Sequence, residues 1–138
     1  MDAVISAEGH HHVQATHRST LEVTTEPSLT PAGDCIIGVG ADLAPSTFND
    51  DFRHHASDEA ATIEAHLEVD GMTLTITGRG HPDLTFKSST SAVIRTSRYV
   101  DDRTVMVDAS HAALDIDRDI VTRLTDGAPL RLTLSVLP

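Results

Sequence analysis

Apolar and polar residues alternate along much of this chain with the period of two that marks half-buried β-strands. In "VQATHRSTLEVTT", Val13, Ala15, His17, Ser19, Leu21 and Val23 fall on one face, and Gln14, Thr16, Arg18, Thr20, Glu22 and Thr24 on the other. The pattern predicts a strand over 13–24 with His17 on its apolar side. Pro27, Pro31 and Gly33 then punctuate a turn, and 35–41 reads as a buried strand. "TIEAHLEVDGMTLTITG" predicts a hairpin turning at Asp70-Gly71, a dipeptide suited to the two-residue turns that join antiparallel strands. Pairing outward sets Val69 opposite Met72, Leu67 opposite Leu74 and Ala65 opposite Ile76 on a core face. Glu68 with Thr73, His66 with Thr75 and Glu64 with Thr77 then form the wet face. Further strands are expected at 84–87, 92–97, 104–109 and 130–137.

Two short helices interrupt the strands. Thr47 followed by Asp50 resembles a capping box, with Phe48 and Phe52 on one face and Arg53, His54 and His55 near the negative helix end. The second runs from about Arg118 to Thr125, capped by Asp117 and followed by Gly127. About nine short strands with two short helices predict a mainly β fold, either a jelly-roll-like β-sandwich or a partly closed barrel. No internal repeat or linker is apparent, so 1–138 is expected to be a single domain.

Composition narrows the function classes. A formal net charge of -11 argues against an extended nucleic-acid footprint, which needs a basic surplus on one face. A single-phosphate ligand stays compatible. Lys87 is the only lysine, the other basic residues are arginines, and aspartate and threonine abound. That bias is haloarchaeal in character and implies stability that rises with salt. One cysteine permits no intrachain disulfide, and the N-terminus lacks a signal-like basic and apolar pattern. Cytoplasmic localisation is therefore expected, without a membrane span.

Four segments, "GHHHVQATHRSTLEVT", "TPAGDCIIGVGAD", "GRGHPDLTF" and "VIRTSRYVDDRT", in this order resemble the archaeal domain-of-unknown-function 371 family across nearly the whole chain. The resemblance implies an archaeal, mainly β, sandwich-like protein and names no activity. The family pattern follows Gly-His with Pro-Asn. Here His11 and His12 follow Gly9-His10, so the resemblance gives them no role.

The same segments hold the residues able to do chemistry. Cys35 shares a strand face with Ile37 and Val39, while Gly38 and Gly40 open the opposite face to another backbone or a ligand. It reads either as a small buried hydrophobe or as a nucleophile with His17 or His81 as its base. Asp34 favours the first reading, because an adjacent carboxylate raises a thiol pKa. His17 is either a paired core histidine or that base, and His81, fixed by Gly80 and Pro82, is either a solvated loop residue or part of a site.

Arg95, Ser97 and Arg103 suit phosphate or carboxylate recognition. The alternative is ion pairing with Asp101, Asp102 or Asp108. A ligand set of His10, Asp34, His81, Arg95, Ser97 and Arg103 is expected for a binding module taking a small anionic ligand. The competing enzyme reading is a small hydrolase or transferase, or a metal site at His17, Cys35 and His81. No spacing names a cofactor. A homo-oligomer, joined through exposed strand edges, is compatible with the pattern.

Overall fold

The hairpin forms in the register its side chains predict. In a computed structural model, which describes residues 2–138, Thr62–Val69 (β4) and Met72–Arg79 (β5) pair antiparallel with Val69 opposite Met72, Leu67 opposite Leu74 and Ala65 opposite Ile76. Asp70 at φ 51° and Gly71 at φ 79° supply the two left-handed residues that this kind of turn requires.

The other strands are Asp2–Glu8 (β1), Thr20–Thr24 (β2), Ile36–Gly38 (β3), Ser91–Arg95 (β6), Thr104–Met106 (β7) and Pro129–Val136 (β8). Eight strands thus replace the expected nine or so. Val13 and Ala15 are buried between exposed Gln14 and Thr16, so the alternation is real. Yet 13–19 is not a strand, because Ala15 sits at φ 52° and turns the chain. Phe86, also at φ 52°, does the same to the strand expected at 84–87. The missing strand is β1, where Ala3, Ile5 and Ala7 face inward at every second residue.

The helices Asp50–Ala56 (α1) and Arg118–Thr125 (α2) lie where expected. Asn49, and not Thr47, caps α1 by accepting from Phe52 N at 2.7 Å. Thr47 instead closes the preceding 3-10 turn, bonding both N–H and C=O of Ala44. Asp117 caps α2 through Asp119 N at 2.8 Å.

The strands form two four-stranded sheets, ordered β1-β8-β4-β5 and β3-β2-β6-β7. Their edges touch at one bridge on each side, Glu8 with Val39 and Arg79 with Val107, and they do not merge into a closed barrel. Ile5, Leu67, Leu132 and Leu134 from the first sheet, Leu21, Val23, Ile94 and Val105 from the second, and Phe52, Ile120 and Leu124 from the helices belong to one apolar cluster. Burial of such surface is the main stabilising term.

The chain contains a repeat, contrary to the sequence expectation. Exchanging β1–β4 with β5–β8 maps each strand order onto itself. The correspondence extends to individual hydrogen bonds. Ser6 N donates to Asp42 Oδ1 and Thr77 N to Ser110 Oγ; Leu114 N donates to His17 O and Ser46 N to Ser88 O. Spacing between counterparts drifts from 71 residues (Gly9 to Gly80) to 68 (Val39 to Val107) and 67 (Val69 to Val136), and few residues are identical. Shortened loops and substituted side chains therefore conceal the period.

Candidate functional site

Polar groups concentrate on one face of the second sheet. Leu21 and Val23 of β2 and Ala92 and Ile94 of β6 point into the core, so the intervening positions face away from it. There lie Glu22, Thr24, Ser91, Arg95 and Thr104, the buried polar residues of the described chain. Buried charge must be paired or hydrogen-bonded. Loops before β3 and β7 bring the partners.

Cys35, half-buried just before β3, places its thiol 3.7 Å from Glu22 Oε1. Burial first, and then the Glu22 charge, push the thiol up to about 11; a hydrogen bond with Thr20 opposes this, and Asp34 adds a smaller push upward. The sequence argument about Asp34 has the right sign, but Glu22, which alternation put on a solvent face, matters more. His17 reaches the thiol only through Thr20, whose hydroxyl lies 2.9 Å from His17 Nδ1. That same Nδ1 accepts from Ser19 N at 3.2 Å and Thr20 N at 3.1 Å. With Nδ1 accepting from both backbone donors, the ring N–H is Nε2. Ser88 Oγ accepts from Thr90 N and Ser91 N at the counterpart position. His17 thus does the turn-closing work that a serine does in the second half.

Arg95 and Arg103 converge on a single carboxylate. Arg95 Nη2 lies 3.0 Å and Arg103 Nη2 2.9 Å from Asp101 Oδ2, while Arg95 Nε donates to Thr104 Oγ1 at 2.8 Å. Burial, the largest single influence, pulls the Asp101 carboxyl upward, but the hydrogen bonds from Arg103 and the charges of Arg95 and Arg103 together bring it down to about 2. Asp101 in turn raises Arg103. The ion pairing foreseen as an alternative is formed, and Arg98 pairs likewise with Asp108 at 2.5 Å. Ser97 Oγ accepts from Tyr99 N at 3.3 Å and so shapes the 96–103 loop. The sole tyrosine, Tyr99, is 60% exposed, with the Arg95 guanidinium 4.7 Å from its ring centroid.

His10 and His81 stand apart from this group as counterparts in the two halves. His10 Nδ1 accepts from His12 N and His81 Nδ1 from Asp83 N, both at 3.0 Å. Each ring closes its own turn. His10 also stacks on His11 and His12 with centroids 4.4 and 5.3 Å away. Partial burial and then these two neighbours hold His10 below the usual imidazole range. Asp34 contributes its carbonyl to Thr16 N and His17 N.

The structure therefore gathers Cys35, His17, Asp34, Arg95 and Arg103 around β2, β3 and β6, and leaves His10 and His81 in separate turns. Among the described residues no three His, Cys, Asp or Glu side chains are arranged to hold a metal ion. Nor does Gly38 admit a ligand, since a Cβ there would meet Leu130 Cδ2 at 2.6 Å in the core. Gly40, at φ 61°, serves a turn. It also lines an open groove of about 530 Å³, away from the Arg95–Arg103 group, together with Glu8, Glu68, Asp70 and Arg131. Gly40 is the one sequence signal that points to it. Among the described residues no helix is long and apolar enough to cross a membrane.

These features define a two-sheet β protein built from two interleaved halves, with a buried polar face on one sheet. The family model for a domain of unknown function, DUF371, matches residues 5–137, and the chain belongs to that family. It is 44% identical over 130 residues to an uncharacterised protein of Methanocaldococcus jannaschii, covering 94% of this chain and 96% of that one.

Proposed function

We propose that this protein is a binding module for a small anion, a phosphate or carboxylate, taken at the Arg95–Arg103 end of the polar face. One observation carries this reading: two guanidinium groups share the same Asp101 oxygen, at 3.0 and 2.9 Å. The three side chains carry one net positive charge, on which the buried Glu22 carboxylate of the same face also acts through Arg103. Arg103 is the accessible member, with 48% of its side chain exposed against 9% for Arg95. An incoming oxyanion can meet its outer edge in the planar geometry that guanidinium favours. No observation favours the enzyme reading in the same way, because the thiol is held protonated.

Calorimetric titration with inorganic phosphate, pyrophosphate and a dicarboxylate tests the assignment. Binding by the wild type that weakens at least tenfold in Arg103→Gln is expected. Wild type that binds none of these anions refutes it.

A further inference from the structure

We infer that the anion is the phosphate of a nucleotide, whose base stacks on Tyr99. This rests on the anion site proposed above and specifies its ligand. The chain has three phenylalanines, one tyrosine and no tryptophan. Phe48, Phe52 and Phe86 are packed against one another in the core. Tyr99 alone is turned outward, 60% exposed.

Its position is held from several sides. Arg95 lies 4.7 Å from the ring centroid and is itself tied to Asp101 and Thr104. Ser97 Oγ accepts from Tyr99 N, and Thr104 Oγ1 accepts from Asp101 N at 3.1 Å. One side of the ring faces a cation that draws on its π electrons; the remaining surface looks to solvent. A planar base has the shape and chemistry to cover it. Through Arg95 and Asp101 the ring is linked to Arg103, the accessible guanidinium. A phosphate and a planar ring joined by a sugar match this pairing of an arginine with an aromatic platform. Stacking tolerates any base, so the inference concerns nucleotides as a class.

The test compares AMP with ribose 5-phosphate, which carries the phosphate and sugar without the base. Calorimetry on the wild type is expected to show AMP binding at least about fivefold more tightly, the low end of what one stacked base contributes. The advantage is expected to vanish in Tyr99→Leu and to persist in Tyr99→Phe, with ribose 5-phosphate affinity unchanged in both. Because Tyr99 is the only tyrosine and there is no tryptophan, its fluorescence lifetime reports the stack directly and should change with AMP alone. Equal affinity for the two ligands overturns the inference while the anion site stands. Failure of both ligands and of inorganic phosphate to bind overturns the two together.

Discussion

A thiol held near pH 11 is ionised in only roughly one molecule in ten thousand at pH 7. Cys35 is therefore a hydrogen-bond donor under ordinary conditions, and iodoacetamide should label the native protein slowly up to pH 9. In Glu22→Gln the principal neighbouring charge is gone, so the labelling rate at pH 8 should rise several-fold; an unchanged rate would show that burial alone sets the thiol. The linkage has a definite sign. The folded thiol holds its proton to a higher pH than the unfolded one, so this contribution is intact below about pH 9 and is lost as pH rises toward 11.

Asp101 behaves in the opposite sense. Its carboxyl is depressed from 3.8 to about 2, so its contribution is present above pH 4 and is lost as pH falls through that interval. Asp101→Asn should cost about 2 kcal/mol at neutral pH, the scale of hydrogen bonds to charged groups. It should also flatten the acid limb of stability between pH 4 and 2, as followed by urea unfolding. A steep limb in the variant would place the acid sensitivity elsewhere.

Among the elements, the two Gly-His turns show how tightly the halves are interleaved. A Cβ on Gly9 would collide with the Leu124 carbonyl of α2, and one on Gly80 with the Ala56 carbonyl of α1. Each half thus docks its turn on the helix of the other. Gly9→Ala and Gly80→Ala should each cost about 3 kcal/mol or more, since the obstacle is backbone that must shift. Gly40→Ala meets open space and should cost only about 1 kcal/mol, for its left-handed φ. Thermal denaturation of the three variants distinguishes these cases, and equal losses would contradict the docking argument.

At the same scale the sequence was legible where structure is local. The Asp70-Gly71 hairpin and the span of α2 follow from turn and cap chemistry within a few residues. The first part of the strand expected over 13–24, and the strand expected at 84–87, fail because a single backbone angle at Ala15 and at Phe86 overrides a correct alternation. Nothing in the identity of alanine or phenylalanine announces a positive φ. The same holds for Glu22, whose polar character suggested solvent until loops from elsewhere covered it.

For the whole molecule, the pairing pattern decides how the chain folds. In the first sheet every ladder, β1 with β8, β8 with β4 and β4 with β5, joins strands from different halves. Neither half can complete that sheet by itself. Fragments 1–70 and 71–138, cut at the hairpin turn, should each lack β-structure by circular dichroism and regain it when mixed. A fragment that folds alone as a monomer would contradict the interleaving.

By itself the sequence determined the two helices, the hairpin and its register, the inward-facing apolar positions and the residues able to do chemistry, because these depend on side-chain period and turn chemistry over a few positions. It also held the family resemblance that the matched family model bears out. Only the tertiary structure decided that two diverged halves share one core and that Glu22 and Arg95 are buried. It likewise decided that Cys35 stays protonated and that Arg95 and Arg103 meet on Asp101 while His10 and His81 do not join them. Most of those outcomes depend on contacts between residues far apart in the chain, whereas the Arg95–Asp101–Arg103 cluster is local and needed the fold only to choose between ion pairing and an open site. Alternation carries no record of which distant strand or loop will arrive.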